Sequence, residues 1–233
     1  MADKTLPEQI ADRLRRDILR GKLPPGSTVK ERDNAAELGV SRTPMREAIR
    51  ILAREGLVIL RPARSPIVAD PSLKEVTDDL EVMSALEVLS GELACRAATS
   101  DEIAAIRAIH ERMAREFDSM EPVDLFEIDM SFHRAIARAS HNPSLEETHA
   151  GYLARLWRAR YLSASRRRSR DRVLRQHGAI VEGLEARDVE QVAGTIQSHL
   201  YHLVANISDV FQKREAEDAA AQDTMQQEAR DTG

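Results

Sequence analysis

Residues 31–56 constrain the fold most, because they place a glycine between two short segments of helical character. Ala35 and Leu38 give the first segment an apolar face. Gly39 ends that segment, since glycine adopts the left-handed conformation at a helix C-terminus without strain. Ser41 is placed to cap the next helix through its side-chain oxygen. A helix, a tight glycine turn and a capped helix together predict a helix–turn–helix, whose second helix enters the major groove of DNA.

The second helix of this stretch combines an apolar face with a basic face. Ile49, Leu52 and Ala53 are predicted to point inward. Arginine recurs at every fourth position of the opposite face. These arginines are Arg42, Arg46, Arg50 and Arg54. Such a row is often only a solvated helix face, but the glycine turn and the Ser-Arg-Thr cluster at the helix start favour DNA binding.

A two-stranded ribbon is predicted after this helix, and the chain is then interrupted. Leu57–Leu60 and Pro66–Ala69 are short apolar segments separated by a polar turn. Asp70-Pro71-Ser72 breaks the pattern, so we place a domain boundary at residue 70. Ahead of the helix–turn–helix, residues 5–20 have helical spacing and predict one more helix.

Charge is divided unevenly along the chain. Residues 1–70 hold 14 Lys and Arg against 10 Asp and Glu, a net charge of +4, whereas the remaining residues hold 20 against 29, a net charge of −9. A basic N-terminal part (residues 1–70) followed by an acidic remainder is typical of a DNA-binding domain joined to a domain that does not bind DNA. The single cysteine, Cys95, excludes an internal disulfide. With no membrane span or signal peptide predicted, we expect a cytoplasmic protein and no membrane partner.

From residue 72 onward the hydrophobic pattern has the helical period. Each predicted helix has an apolar stripe that it cannot bury alone, so six antiparallel helices around one core are expected. They cover residues 73–97, 101–119, 123–140, 144–164, 169–186 and 188–212. The first is expected to bury one face, with Leu80, Met83, Leu86, Leu89 and Leu93.

The predicted fold class is therefore mostly α. We expect a winged helix–turn–helix over residues 1–70 and an antiparallel six-helix bundle over residues 71–213. The last segment, residues 214–233, is acidic and has few large apolar residues, so a disordered tail is expected there.

Four polar side chains are predicted to turn into this bundle. Asp129 and His133 are four residues apart on the third helix and share its apolar face. His177 and His199 lie on the apolar faces of the fifth and sixth helices. One carboxylate and three imidazoles can enclose a divalent transition metal, with zinc, nickel and manganese as candidates. For any one histidine, a hydrogen-bonded core residue is the simpler interpretation, and the sequence leaves both open.

An Asp/His₃ metal site with an open position can also activate water, so a metal-dependent hydrolase is the alternative function. Against it, the pattern predicts no further inward carboxylate or lysine as a general base. The basic N-terminal third would also have no role in such an enzyme. The remaining histidines are assigned to helix ends or outer faces, namely His110, His141, His149 and His202.

The N-terminal third resembles the winged helix–turn–helix of the GntR repressors over Ile10–Ala69. The resemblance rests on Gly21-Lys-Leu-Pro-Pro-Gly26, Glu31-Arg32, Leu38-Gly-Val-Ser-Arg-Thr-Pro44, Met45-Arg-Glu-Ala48 and Glu55-Gly-Leu-Val58. It implies operator contacts by the arginines at positions 32, 42 and 46. The full expected DNA-binding set is Arg32, Ser41, Arg42, Thr43, Arg46 and Arg64. Two positions depart from the family pattern: Asn34 replaces a usual leucine, and the wing-tip glycine is missing from Arg61-Pro-Ala-Arg-Ser-Pro66.

The remainder resembles the FCD ligand-binding domain of the FadR branch of GntR regulators, in its six-helix, VanR-like form. The matching motifs are Asp129-Met-Ser-Phe-His133, Ala139-Ser-His-Asn-Pro143, Gln176-His177 and Ser198-His199-Leu200. The resemblance implies a metal held by Asp129, His133, His177 and His199, with a small organic acid bound beside it. Many members carry an effector-binding arginine where this chain has Met83, so a larger or less charged ligand is an alternative. We expect Met83 and Ser84 to line the effector pocket.

The predicted function is that of a ligand-responsive transcriptional repressor. Its expected partners are double-stranded operator DNA, a small-molecule effector and a second copy of the chain. A homodimer is expected because one recognition helix spans a single half-site, and specific binding uses two. The effector would act by favouring one arrangement of the bundle over another. The sequence leaves open whether this releases or promotes DNA binding.

Overall fold

The computed structural model describes the backbone of residues 4–167 and 170–231, and the side chains of residues 4–165 and 170–213. These residues are mostly helical, with one antiparallel ribbon, and the predicted fold class is confirmed. The elements are α1 (Leu6–Leu19), α2 (Glu31–Glu37), α3 (Arg42–Arg54), β1 (Val58–Arg61), β2 (Arg64–Val68), α4 (Leu73–Ala97), α5 (Ser100–Glu116), α6 (Pro122–Ala139), α7 (Pro143–Arg155), α8 (Trp157–Arg167), α9 (Arg170–Ala186) and α10 (Val189–Asp231).

The helix–turn–helix consists of α2 and α3. Gly39 between them has a φ of 64°, the left-handed geometry that glycine adopts without a Cβ penalty. Ser41 occupies the N-cap position of α3, but its side chain makes no capping hydrogen bond within the described helix, which corrects the expected cap. Pro44, at the third helical position, has no N–H to donate. The Ser41 hydroxyl consequently stays exposed at the start of the helix.

Local geometry accommodates both departures from the family pattern. Asn34 is partly buried, and its side-chain amide donates to the carbonyl oxygen of Lys30, the N-cap residue of α2, at 2.9 Å. At the wing tip, Ala63 has a φ of 55°, a conformation that glycine adopts more readily. The ribbon still forms, with Val58 paired to Val68 across β1 and β2.

Helices α4 to α10 form the bundle. The predicted fourth helix is two helices, α7 and α8, which meet at the buried Leu156. The described bundle therefore has seven helices in place of six. Packing explains the division, because α7 contacts mainly α4 and α6, whereas α8 contacts α10, α6 and α1.

The buried face of α4 differs from the predicted one. Met83 is buried as expected, but Leu89 is 41 % exposed, and Val82 on the same side is 40 % exposed. The core-facing side instead includes Glu87, Ser90, Gly91 and Ala94. Gly91 allows α10 to approach closely, because a Cβ at this position would lie 2.6 Å from the Ile196 side chain. Close packing against α10 therefore sets the rotation of α4.

The head (residues 4–70) packs on the bundle through a continuous apolar cluster. This cluster joins side chains of α1 and α3 to those of the bundle, with Ile18 and Phe211 among its buried members. Arg16 of α1 adds ion pairs across the contact, to Asp124 and, at 3.2 Å, to Glu127 of α6. The N-terminal half of α6 is thus tied directly to the head.

The end of the chain is the segment for which a disordered tail is predicted, and that tail stays a prediction. The backbone of α10 continues as a helix to Asp231, beyond the last described side chain at Lys213. Residues 214–231 are rich in Ala, Glu and Gln, whose helix propensity is high. The domain limits at residues 70 and 213 stay predictions. Within the described ranges, no helix has the length and apolarity that crossing a membrane requires.

Candidate functional site

The N-terminal end of α3 presents a polar and basic surface to solvent. Each residue of the predicted DNA-binding set is exposed, namely Arg32, Ser41, Arg42, Thr43, Arg46 and Arg64. Met45, Ala48 and Ile49 fix this orientation, because they are buried on the opposite side of α3. Arg46 also pairs with Glu31 at the start of α2, with a distance of 3.2 Å between Nη2 and Oε2. The first two turns of α3 are therefore free to enter a DNA groove.

Inside the bundle, the four residues predicted to bind a metal come together. One nitrogen from each of His133, His177 and His199 lies within 4.8 Å of the other two. Asp129 Oδ1 lies 3.6 Å from His177 Nε2 and 3.9 Å from His133 Nε2. Asp129 and His133 come from α6, His177 from α9 and His199 from α10. We call these four residues the histidine cluster.

The polar atoms of the histidine cluster are buried and largely unpaired. Asp129 Oδ1, His133 Nε2 and both nitrogens of His177 make no hydrogen bond with the described part of the chain. The His177 ring instead stacks on Phe132, with a centroid distance of 4.4 Å. A buried polar group left unpaired costs roughly 1–3 kcal/mol. A cation bound between these atoms would satisfy them, so the donor set fits a metal ion.

Two neighbours orient the imidazoles of the histidine cluster. His133 Nδ1 lies 2.8 Å from Glu87 Oε2 and donates to it, which leaves Nε2 with its lone pair toward the cluster. Gln176 Oε1 accepts from His199 Nδ1 in the same way, at 3.1 Å. Such second partners are the usual support of metal-binding histidines.

The protonation states of two cluster histidines and of Glu87 also favour binding of a cation. Burial lowers the pKa of His177 and that of His199 well below the ordinary value, and neighbouring histidines lower both further. For Glu87, burial alone would raise the pKa, but the neighbouring His133 and Arg160 outweigh this effect and hold the pKa well below its usual range. Unprotonated imidazoles and ionised carboxylates are the forms in which metal ligands bind.

Sequence reasoning missed three buried polar residues next to the histidine cluster. Glu87 contacts Arg160 as well as His133, with 2.6 Å between Glu87 Oε1 and Arg160 Nη1. His149 is buried, its Nε2 lies 4.0 Å from Glu87 Oε1, and burial lowers its pKa to about 4. The assignment of His149 to an outer face is therefore wrong, and so is the expectation of no further inward carboxylate. Both oxygens of Glu87 have partners, so it is not placed as a free general base.

One signal for Glu87 was present in the sequence. Positions 80, 83, 87, 90 and 94 share one side of an α-helix, and all five are buried in α4. The leucines of the neighbouring face are the stronger hydrophobic signal, so the sequence pattern predicts that face to be the buried one. His149 and Arg160 give no comparable signal, because the sequence pattern predicts one continuous helix where the structure has α7 and α8.

A small cavity opens beside the histidine cluster, between α6, α8, α9 and α10. Its volume is about 50 Å³, and its polar lining includes Asp129, Arg160, Ser163, Arg172, Gln176 and His199. The two residues named as the effector pocket do not line it. Met83 is fully buried in the core, and Ser84 Oγ donates to the Leu80 carbonyl oxygen at 2.8 Å. Packing of α4 turns both residues away from the cavity.

A winged helix–turn–helix joined to a helical bundle with a buried polar cluster and a cavity defines a ligand-responsive transcription regulator. Residues 6–68 match the model of the bacterial regulatory proteins of the gntR family, and residues 78–202 match that of the FCD domain. The chain belongs to the GntR family and combines its DNA-binding domain with an FCD domain, as the sequence motifs predict. It is a DNA-binding regulator and not an enzyme.

Relatives that match most of the chain agree with this assignment, and a solved structure shares the fold. The HTH-type transcriptional repressor RspR of Escherichia coli K12 is 28 % identical over 208 residues, covering 88 % of this chain and 90 % of that protein. A Paenarthrobacter nicotinovorans protein named "Probable D-xylose utilization operon transcriptional repressor" is 30 % identical over 203 residues, covering 84 % and 86 %. The structure of E. coli McbR/YncC shares the fold, with a TM-score of 0.75 at 21 % identity, covering 91 % and 100 %.

Proposed function

We propose that this regulator is a homodimeric repressor that binds operator DNA in the cytoplasm, contains a divalent transition metal and responds to a small organic acid. The metal is proposed because polar atoms of Asp129, His133 and His177 are buried without a hydrogen-bond partner among the described residues. Repression is supported by the names of two relatives that cover most of the chain.

Asp129, His133, His177 and His199 would hold the ion. Three imidazoles and one carboxylate favour zinc, nickel or manganese over magnesium and calcium, which prefer oxygen ligands. One carboxylate offsets only part of a divalent charge, so the acid group of an effector would complete the balance. The adjoining cavity shares Asp129 and His199 with the histidine cluster, and it has room for such a ligand beside the ion.

Helix α6 connects the histidine cluster to the head. Asp129 and His133 lie in the middle of α6, and its first two turns carry Asp124 and Glu127, which pair with Arg16 of α1. Helix α1 packs in turn on the recognition helix α3. A ligand that binds one position of α6 better than another would therefore shift the head through this contact.

The dimer follows from the geometry of DNA recognition. Each chain offers one recognition helix, and a half-site read by one helix gives little specificity. Two heads at a spacing of about one helical turn, ~34–36 Å, would read two half-sites together. The dimer is supported here by one observation, that each chain presents the arginine face of one recognition helix, α3, to solvent.

The proposal is tested on protein purified without chelators. Native mass spectrometry is expected to show a dimer with one metal ion per chain, and the same protein should shift a DNA fragment from upstream of its own gene. A metal-free monomer that still shifts this DNA would refute the dimer and the metal while leaving the family function intact.

A further inference from the structure

A cleft of about 620 Å³ lies where the head meets the bundle. Its head side is formed mainly by α1 and α3, and its bundle side by α6, α7 and the start of α8. Among the described residues, none lines both this cleft and the small cavity beside the histidine cluster. A volume of this size lies in the range that holds small organic ligands. We call it the junction cleft.

Basic residues outnumber acidic ones in the junction cleft. The lining contains five bases, Lys4, Arg15, Arg16, Arg54 and Arg134, and three acids, Asp12, Glu55 and Glu127. Each acid already forms an ion pair with Lys4, Arg15 or Arg16. The other two bases, Arg54 and Arg134, form no ion pair with the part of the chain that the structure describes. The cleft therefore has two positive charges that are not paired with an acid.

A stacking contact holds the guanidinium of Arg134 in the junction cleft. Its Cζ lies over the Trp157 ring, 5.4 Å from the ring centroid. Since this group makes no hydrogen bond with the described residues, its five N–H donors stay available. Loss of surrounding water lowers the pKa of Arg134, and the charge of Arg15 lowers it further. Both effects oppose the charged form, and an anion bound beside Arg134 would offset them.

One wall of the junction cleft is apolar and consists of small residues. Ala150, Gly151 and Ala154 of α7 line it next to Trp157 of α8. A Cβ added at Gly151 would meet no heavy atom within 4 Å, so the space beside this helix is open. An apolar or flat group can lie on this wall while an attached anion reaches the arginines. The lining therefore favours a ligand that has both parts.

We propose that the junction cleft is a second ligand site, which binds an organic phosphate monoester with an apolar body and couples this binding to DNA affinity. The phosphate would lie between Arg54 of α3 and Arg134 of α6, and the body would lie against α7 and Trp157. A phosphate monoester carries a charge of about −1.5 to −2 and three acceptor oxygens. It can therefore accept from guanidinium groups of two helices, whereas a carboxylate matches the planar edge of one.

A ligand in this position would contact both parts of the molecule. Arg54 belongs to the last turn of the recognition helix, and Arg134 belongs to α6, which also pairs with α1. A phosphate bound by both arginines would favour one placement of the head on the bundle, and DNA affinity would change with it. No residue of the histidine cluster lines the junction cleft. The inference therefore goes beyond the proposed metal and does not depend on it.

The first experiment measures which part of a ligand is recognised. Full-length protein is titrated calorimetrically with phenyl phosphate, inorganic phosphate, benzoate and benzyl alcohol. Trp157 is the only tryptophan of the chain, so a change in its fluorescence shows that binding occurs next to it. Phenyl phosphate is expected to change this fluorescence and to bind about 10-fold more tightly than each of the other three.

Three results of these titrations would count against the proposal. Inorganic phosphate that binds as tightly as phenyl phosphate would show that the body is not recognised, and it would overturn the assignment to an ester. Benzoate of equal affinity would overturn the assignment to a phosphate. Phenyl phosphate that does not bind would overturn the site altogether.

The second experiment tests the two arginines. Arg134→Gln and Arg54→Gln are each expected to weaken phenyl phosphate binding about 10-fold, and the double variant more than either. Arg134→Lys keeps the charge but not the planar group, so its affinity should lie between those of the wild type and Arg134→Gln. The matched control is Arg138→Gln, one turn further along α6, which removes an exposed arginine outside the cleft lining. Wild-type affinity in both Arg134→Gln and Arg54→Gln would place the phosphate elsewhere and refute the site.

The third experiment measures the coupling. Affinity for a DNA fragment from upstream of the protein's own gene is determined with and without saturating phenyl phosphate. The wild type and Arg138→Gln are expected to change affinity about 5-fold or more, whereas the double variant Arg54→Gln/Arg134→Gln should not respond. Using the ratio with and without ligand removes any direct effect of Arg54 on DNA. Equal DNA affinity of the wild type in both conditions would refute the coupling.

Discussion

Glu87 Oε2 and His133 Nδ1 lie 2.8 Å apart in the centre of the bundle, and both side chains are buried. The contact joins α4 to α6 and determines which nitrogen of His133 faces the other histidines. Its geometry is that of a carboxylate supporting a metal-binding imidazole.

We expect protein prepared without chelators to contain about one zinc, nickel or manganese ion per chain, and His177→Ala to lose most of it. A ligand bound only by the folded state stabilises it, by about 2.7 kcal/mol at a free concentration of 100 Kd. Elemental analysis and the thermal midpoint measure the two effects. The control is His141→Ala, which removes an exposed histidine paired with Glu102 at 2.9 Å.

Acid should also release the ion, because protons compete for the imidazole nitrogens. If wild-type protein contains no stoichiometric metal, and added zinc, nickel or manganese leaves its thermal midpoint unchanged, the metal assignment is wrong. Asp129, His133, His177 and His199 would then be polar core residues only.

The metal-free protein should lose stability in mild acid through His149. Burial lowers the pKa of this histidine to about 4, against about 6.5 in an unfolded chain. As the pH falls through this interval, the unfolded state takes up a proton that the folded state does not, so the free energy of unfolding decreases. The shift corresponds to a loss of roughly 3 kcal/mol by pH ~4.

Urea denaturation of metal-free protein between pH 7 and pH 4.5 measures this loss. His149→Gln should flatten the pH dependence, whereas Tyr201→Phe, at an exposed position, removes no group that titrates in this pH range and should leave the dependence as in the wild type. The depressed pKa values of His177 and His199 act in the same direction, so a residual slope is expected in His149→Gln. An unchanged slope in that variant would contradict the prediction.

Arg42→Ala and Arg46→Ala should each weaken operator binding by roughly 1–3 kcal/mol if the arginine makes a bidentate base contact. Both arginines are exposed on the first turns of α3, so the fold should survive. The ion pair of Arg46 with Glu31 is itself exposed and contributes little stability. Fluorescence anisotropy at matched salt measures the affinity, with Arg96→Ala on the surface of α4 as the control. Wild-type affinity in both variants would remove α3 from the DNA interface.

Operator binding should weaken steeply with salt, and the DNA-bound form should be a dimer. Each phosphate neutralised by Lys or Arg contributes about 0.9 to the logarithmic salt slope. The net charge of +4 in residues 1–70 supports a large electrostatic share. Binding titrations at several salt concentrations and light scattering at the saturating protein concentration test the two parts. A flat salt dependence contradicts the first, and a monomeric mass contradicts the second.

The sequence by itself determined the parts of this protein that depend on near neighbours along the chain. Gly39 sets the turn of the helix–turn–helix because a left-handed φ is a local property of the residue. The spacing of Met45, Ala48 and Ile49 decides which side of α3 is buried and leaves the arginines exposed. The interval between Asp129 and His133 places both on one face of α6 in the same way.

Only the tertiary structure decided how the bundle helices rotate and where distant residues meet. Leucine spacing predicted one buried face for α4, but close packing of Gly91 against Ile196 turns Glu87 inward and Leu89 outward. The same packing brings His177 and His199 to α6, although they lie more than forty residues along the chain from His133. The break at Leu156 then directs Arg160 into the cavity. These features result from packing seven helices against one another, and the pattern within any single helix does not contain that information.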